Sequence, residues 1–408
     1  MLRPFVIALA ALLTLPALAD TSPDACVATG QWTRASDGRA LESSSLLLNM
    51  SRKPAVLLGE SHDNWEHHRW QLDTVAGLHA LNPNMVLGFE SFPRRVQPIL
   101  DQWTSGQLGE AEFLDRVEWG TVWGYPAEQY MPLFHFARRH RIPMVALNVD
   151  LSLIRKVRVE GWEAVDEGQR RGVGTPAEAL PTYRERLTNF FRRHEAMRKT
   201  RKHGEPATAV PHTEDPKDTP FTEEEKTRLE RFIDAQLLWD RAMAEAVASV
   251  RTAGGNPLVI GIMGSGHLTG RQGAPHQLAD LGIPDAAVLL PWIIGDEDCA
   301  QLAETKADAV YGLELLPQPA KKPRMLLGVF IEGTDDGVLI SKVSEGSVAE
   351  TTGILAKDVI TKAAGQTVRK AKDLKEIITS LIPGVWLPLE VKRGDETLHM
   401  IAKFPAQP

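Results

Sequence analysis

From residue 54 onward the chain alternates short apolar runs with longer amphipathic stretches, and that alternation leaves few folds open to it. Ala55-Val56-Leu57-Leu58, Met85-Val86-Leu87-Gly88-Phe89, Pro143-Met144-Val145-Ala146-Leu147, Pro257-Leu258-Val259-Ile260-Gly261-Ile262 and Ala286 to Leu290 read as buried strands. Between them a helix is expected from about Asn64 to Leu81, another opened at its first turn by Pro93, and a third over Pro126 to His140. Strands alternating with helices make parallel βαβ units, so the expected fold is α/β, a mostly parallel sheet covered by helices. The rhythm breaks between about 176 and 250, where strand signals stop and two long helices are expected. Lys202 to Pro220 lies between them, polar, charged and proline-rich, with too little apolar material for a core, and is expected to be a loop. Its histidines, His203 and His212, are isolated, as solvated histidines are, and lack metal-ligand spacing.

The first twenty residues are laid out as a secretory leader. Arg3 supplies the positive start, Phe5 to Leu15 the apolar run, and Ala17-Leu18-Ala19 the small-residue cleavage site. The run falls short of the roughly 20 residues that span a bilayer. Cleavage after Ala19 is therefore expected, giving a periplasmic or otherwise exported protein; an uncleaved anchor is the alternative. No later segment is long and apolar enough to cross a membrane. Pro23-Asp24-Ala25 lacks the aliphatic residue that precedes a lipid-attachment cysteine, so Cys26 is not expected to carry lipid. Cys26 and Cys299 are the two cysteines. An oxidising compartment permits them to pair if their Cα atoms come within about 7 Å, which sequence alone leaves open. The formal net charge of -7 argues against a nucleic-acid partner.

A boundary is marked by Pro317-Gln318-Pro319-Ala320-Lys321-Lys322-Pro323, whose prolines and lysines make a stiff, exposed linker. The expected division is a leader at 1–19, a large α/β domain at 20–315, a linker at 316–323, and a small β-rich domain at 324–408.

The polar residues that follow the strands are the candidates for chemistry. Gly59-Glu60-Ser61-His62-Asp63-Asn64 follows the first strand, Glu90 the second, Asn148 and Asp150 the third, and Gly264-Ser265-Gly266-His267 the fourth. Parallel strands would set these groups along one rim, where open α/β sheets bind ligands. Two Gly-x-x-His turns, ending at His62 and His267, are more specific than either alone. With Glu60 and Glu90 they make a candidate divalent-metal site or acid–base cluster. The plainer alternative is a capping histidine at each turn, with Glu90 capping the helix that Pro93 opens. His67 and His68 are adjacent in the first helix, so at most one is expected to face the site and the other the surface.

Trp119, Trp123, Tyr125 and Tyr130 fall within twelve residues. They are either a core cluster or a flat wall for a planar ligand. In the second case a tyrosine can serve as an axial haem ligand.

Leu58-Gly59-Glu60-Ser61-His62-Asp63-Asn64 with His67-His68 and Gln71 resembles the opening motif of the ChaN-like haem-binding proteins. Gly88-Phe89-Glu90 with Arg94 and Gln97, Trp119…Trp123-Gly124…Tyr130-x-Pro132, Ala146-Leu147-Asn148 and Gly264-Ser265-Gly266-His267 extend the resemblance over about residues 45 to 295. It implies an α/β fold related to the Tiki and TraB proteins and to erythromycin-esterase-like enzymes. It further implies iron uptake at the cell envelope, haem bound through a tyrosine, and a homodimer around stacked haems. The implied ligand is Tyr130, with Tyr125 as the second candidate and Trp123 beside them. Tiki relatives use Gly-x-x-His turns in a metal-dependent peptidase site, which corresponds here to His62 and His267 with Glu90.

After the linker, Leu326-Leu327-Gly328-Val329 resembles the carboxylate-binding loop of a PDZ domain, and Val329 to Glu332 the peptide-pairing strand that follows it. Gly346-Ser347-Val348-Ala349 and Gly353-Ile354-Leu355-Ala356-Lys357-Asp358 fit the later turns, with Lys357 where the usual pattern has glycine. Such a domain leaves a sheet edge open to an extended peptide and holds its terminal carboxylate on backbone N–H groups. Lys372 to Ser380 is expected to wall the groove, with Leu374 and Ile377 among its apolar positions. Two functions are compatible with these features. One is an exported haem- or iron-binding protein with a peptide-binding module. The other is a metal-dependent hydrolase of peptidase type whose PDZ domain selects substrate.

Overall fold

The computed structural model describes residues 26–202, 220–316, 325–334 and 336–406. The leader, the segment containing His203 and His212, and all of the linker but its first residue lie outside them. The chain forms two compact units, residues 1–318 and 319–408.

The large unit is built on an eight-stranded sheet. Its strands are β1 (Trp32–Thr33), β2 (Ala40–Leu41), β3 (Ala55–Glu60), β4 (Met85–Pro93), β5 (Met144–Asn148), β6 (Leu258–Gly264), β7 (Ala287–Ile293) and β8 (Ala309–Leu313). They lie in the order β2-β1-β8-β7-β3-β6-β4-β5, parallel from β8 to β5 and antiparallel only at β1 and β2. All five expected strands are present, most of them longer than expected. The strands β1, β2 and β8 are beyond those expected; β1 and β2, of two residues each, are too short to carry an apolar run.

Helices cover both faces. On one side α1 (Ser43–Met50), α2 (Trp65–Leu81), α3 (Gln97–Thr104), α4 (Glu110–Arg116), α5 (Trp119–Val122) and α6 (Ala127–His140) follow in chain order; on the other lie α7 (Leu151–Glu160), α8 (Pro181–Lys202), α9 (Glu223–Thr252) and α10 (Ala274–Asp280). Strand pleating makes neighbouring residues serve opposite cores. Val56 and Leu58 pack with Trp70, Leu78 and Phe134, whereas Ala55 and Leu57 pack with Met243, Val247 and Leu278. Pro93 ends β4 and caps a short 3-10 helix, Arg94–Val96, which runs into the α-helix at Gln97 with Pro98 in its first turn. Strand β4 is long because its register against β5 shifts between Phe89 and Pro93, carrying the backbone past Glu90. Cys26 and Cys299 form a disulfide with Cα atoms 5.7 Å apart, closing a loop of sequence separation 273. No helix among the described residues is long and apolar enough to cross a membrane.

The small unit contains an antiparallel sheet of β9 (Val329–Thr334), β10 (Gly337–Val343), β11 (Val359–Ala363), β12 (Gln366–Thr367), β13 (Trp386–Arg393) and β14 (Glu396–Lys403), ordered β14-β13-β11-β10-β9 with β12 on β11. Two helices, α11 (Val348–Thr352) and α12 (Ala371–Ser380), complete it around Leu327, Val338, Ile360, Leu374 and Val391. Asp358, fully buried, is held by both Nε and Nη2 of Arg393 at 2.8 Å.

Candidate functional site

Strand β6 lies between β3 and β4, and Glu60 is in register with Gly264. The two carboxylates that flank β6, Glu60 and Glu90, are therefore brought together at one end of the sheet, both buried. Gly264 has to be glycine because of its neighbours. A Cβ there would stand 2.9 Å from His62 Cε1 and 3.6 Å from Glu90 Oε2. Its backbone N–H donates to Glu90 Oε2 at 2.7 Å.

Around Glu60 the donors converge. Tyr130 donates its hydroxyl to Oε1 at 2.6 Å, Gln71 donates Nε2 to Oε2 at 3.0 Å, and His62 Nδ1 lies 2.8 Å from Oε1. Burial alone would raise the Glu60 pKa. The His62 hydrogen bond, the charges of His68 and His62 and the Tyr130 hydroxyl outweigh it and bring the pKa to about 2. His62 shifts upward for the same reason: burial opposes its charge, but the Glu60 hydrogen bond and the Glu90 charge overcome it.

A second cluster sits beside the first. His267 places Nδ1 2.7 Å from Asp240 Oδ1 and Nε2 3.5 Å from Glu90 Oε1. Asp240 is fully buried and accepts a 2.6 Å hydrogen bond from the Tyr183 hydroxyl. Burial would lower the His267 pKa, but Glu90 and Asp240 raise it to about 10, so the ring is an imidazolium at neutral pH. Among the described residues no group of three or more His, Cys, Asp or Glu side chains is arranged to hold a metal ion. The expected metal cluster of Glu60, His62, Glu90 and His267 thus lacks support, because the four residues spend their polarity on each other and on Asp240.

The other candidates fall as follows. His67 and His68 are both buried, so neither faces the surface as expected. His67 accepts from the Ser61 N–H at 2.8 Å, and burial followed by the His68 charge lowers its pKa to about 4. His68 lies 3.5 Å from Glu60 and packs its ring on Tyr130 with centroids 4.2 Å apart. Gln97 is structural: it donates to Met144 O and accepts from Ala146 N, fastening α3 to β5. Asn148 donates Nδ2 to Glu90 O at 3.0 Å, steadying the shifted stretch of β4.

The aromatic stretch divides. Trp119 and Tyr130 belong to the core, Tyr130 only 1% exposed with its phenol spent on Glu60 and its pKa driven far upward by burial and that carboxylate. Trp123 and Tyr125 are half-buried and border His62, with ring centroids 4.6 and 5.3 Å from the imidazole. The turn before Tyr125 needs Gly124 at φ +81°, and Trp119 fixes it by donating its indole N–H to Tyr125 O at 2.7 Å. The Tyr125 hydroxyl meets no hydrogen-bond partner among the described residues. Sequence reasoning missed Asp240 and Tyr183. The available signal was the placement of Asp240 among Ile233, Met243, Ala244 and Val247 on the apolar stripe of α9, where an unpaired carboxylate would be costly.

In the small unit, Leu326 is exposed, Leu327 is buried, and Gly328 takes φ +79°, where a Cβ would collide with Ser347. The carbonyls of Leu327 and Gly328 accept from Ala349 N and Ser344 N, fastening the loop from behind. Their amides meet no acceptor among the described residues. Val329 then opens β9, an edge strand of the sheet, with Leu374 buried and Ile377 half-buried on α12 alongside.

Comparison with known proteins agrees with this division. Residues 325–403 match the PDZ domain model. Among solved structures, ChaN of Campylobacter jejuni with cofacially bound heme aligns over 69% of this chain and 95% of its own, at 18% identity and a TM-score of 0.48. The HtrA-type protease AlgW with a decapeptide covers 21% of this chain and 30% of its own at 20% identity and a TM-score of 0.20. The HtrA3 PDZ domain with a phage-derived ligand covers 19% and 83% at 25% identity and a TM-score of 0.18. No curated protein gives a significant match. The model for haem-binding uptake proteins of the Tiki superfamily, ChaN, matches residues 46–278, more than half of the sequence, and the chain belongs to that family, with a PDZ domain after it.

Proposed function

We propose that this is an exported haem-binding protein of iron uptake, in which Tyr125 is the haem-ligating residue and the PDZ unit captures the C-terminus of a partner polypeptide. The observation that carries the haem reading is the unengaged Tyr125 hydroxyl, standing with half-buried Trp123 and His62 at the edge of the buried carboxylates. Bound haem would supply a Lewis-acidic iron that a phenolate can ligate. Burial, Asp63, Glu90 and Glu60 all raise the Tyr125 pKa, and the same negative field favours a cationic iron beside the ring. Tyr130, the first expectation from sequence, is a poorer ligand because Glu60 holds its phenol inside the core. Export is supported by the leader and by the Cys26–Cys299 disulfide, since disulfides persist in oxidising compartments. Pairing of two copies around stacked haems is part of the same reading.

The test is a hemin titration of the mature chain followed at the Soret band, with size-exclusion chromatography at saturation. Wild type should develop the band and run as a dimer, and Tyr125→Phe should weaken binding at least about tenfold while Tyr130→Phe does not. A wild type that gives no spectral change would overturn the haem reading.

One feature favours a hydrolase instead. His62 and His267 are each oriented through Nδ1 by a buried carboxylate, the arrangement used to hold acid–base histidines in place. That reading predicts cleavage of a fluorogenic peptide library by the wild type and its loss in His62→Ala.

A further inference from the structure

Helix α8 carries two stripes. Tyr183, Leu187 and Phe191 are buried against Leu229, Phe232 and Ile233 of α9. A second stripe, Thr182, Glu185, Arg186, Asn189 and Arg193, recurs at the spacing of one helix face, yet it is polar and does not pack on the sheet. It walls a cavity of about 780 Å³ over the ends of β6 and β7. Leu290, Pro291 and Trp292 form its apolar side, Ser265 and Thr269 border the turn that carries His267, and Glu297 and Glu304 stand on the remaining wall. A volume of this size is typical of small-molecule sites.

Arg186 is fixed within it. Its Nη2 donates to Gly266 O at 3.0 Å, and its guanidinium lies 5.0 Å from the Tyr183 ring centroid. Its Nε is buried and has no hydrogen-bond partner. That atom is closed off from the cavity, but Nη1 makes no hydrogen bond among the described residues, and a carboxylate is the acceptor that suits a guanidinium donor on the cavity wall. The opposing glutamates make a purely anionic ligand unfavourable there and suit a donor or ammonium at its other end.

We propose that this cavity is a second binding site, separate from Tyr125, for a short peptide carrying both a carboxylate and an amine, with the carboxylate on Arg186 and the amine toward Glu304. The site adjoins the functional rim, since Gly266 and Ser265 belong to the turn that presents His267 and Tyr183 joins Arg186 to Asp240.

The experiment is calorimetric titration of the full mature chain with Ala-Glu-Ala amidated at its C-terminus, so that the PDZ loop finds no terminal carboxylate. A second arm uses the acetylated, amidated Ala-Gln-Ala. The charged peptide should bind, the neutral one at least about tenfold more weakly, and Arg186→Met should lose at least about tenfold in affinity for the charged peptide. Because Arg186 also anchors Gly266, Glu304→Gln provides a variant remote from that anchor and should likewise weaken the charged peptide. The proposal is overturned if the folded wild type does not bind the charged peptide, if it binds both peptides equally, or if Arg186→Met and Glu304→Gln both bind as the wild type does.

Discussion

His267 and Asp240 stand 2.7 Å apart, side chain to side chain, joining the turn after β6 to the middle of α9. The pair sets the protonation of the rim, because Asp240 on one nitrogen and Glu90 beyond the other hold the imidazole charged in a largely buried place.

That charge makes stability depend on pH. An unfolded histidine titrates near 6.5, whereas burial offset by Glu90 and Asp240 leaves His267 at about 10. The folded pKa is the higher one, so the stabilisation is complete below about pH 6.5 and declines as pH rises toward 10. Urea midpoints should therefore fall across that window. Asp240→Asn should flatten the fall and cost about 3 kcal/mol at pH 6.5, through loss of a buried partner. A wild-type midpoint unchanged between pH 7 and 10 would contradict the pairing.

Tyr130→Phe separates a structural phenol from a ligand. The substitution removes the 2.6 Å donor to Glu60 and leaves a buried carboxylate short of one partner. The expected cost is about 1–3 kcal/mol, read as a lower thermal midpoint. With one lowering contribution gone, the Glu60 carboxyl should titrate at higher pH than the roughly 2 of the wild type. Its stabilisation is present above the unfolded carboxylate pKa and lost on acidification through the folded one, so the variant should unfold at a higher pH during an acid titration. Equal acid midpoints would show that the phenol does not support Glu60.

The sheet and its rim were legible in the sequence because buried parallel strands leave continuous apolar runs, and the residues after them are placed by the pleat and the turn. Glu60, His62, Glu90 and His267 could be gathered on that logic alone. What the rim does with them could not, since it depends on Asp240 and Tyr183, which reach it from helices distant in sequence. Tyr130 and Tyr125 sit five residues apart with the same side chain, yet one faces Glu60 and the other is half-buried. That difference follows from where α6 begins, at Ala127 behind Pro126. The short strands β1 and β2 are two residues each, β1 held by pairing with β8 and β2 by pairing with β1, so no local pattern announces them.

Gly328→Ala tests the peptide reading of the small unit. A Cβ there meets both a left-handed φ and the Ser347 side chain, so the loop must move to accept it. Because Leu327 O and Gly328 O are already tied to Ala349 and Ser344, the movement falls on the amides of the loop, which meet no acceptor among the described residues. Binding of peptides with a free C-terminal carboxylate, selected by display against the wild-type unit, should weaken at least about tenfold, while amidated versions should bind poorly to both proteins. Unchanged affinity in Gly328→Ala would place the carboxylate elsewhere.

Lys357 offers the converse case, a position where glycine would help. It holds φ +78° between Ala356 and the buried Asp358, a conformation that costs a residue with a Cβ about 1–2 kcal/mol. Its N–H donates to Ile340 O at 2.8 Å, and Asp358 O accepts from Ile340 N, so β10 and the Asp358–Arg393 pair fix the backbone on both sides. The turn cannot relax without losing those bonds. Lys357→Gly removes the strain but adds freedom to the unfolded chain, which returns roughly 0.5–1 kcal/mol of the gain. The net expectation is a small-unit transition stabilised by up to about 1 kcal/mol, with the transition of the large unit unmoved. Differential scanning calorimetry of the full chain resolves this if the two units melt separately, and hydrogen exchange at the Ile340 and Asp358 amides resolves it if they do not. Faster exchange at those amides in Lys357→Gly would mean that the lysine itself stabilises the turn.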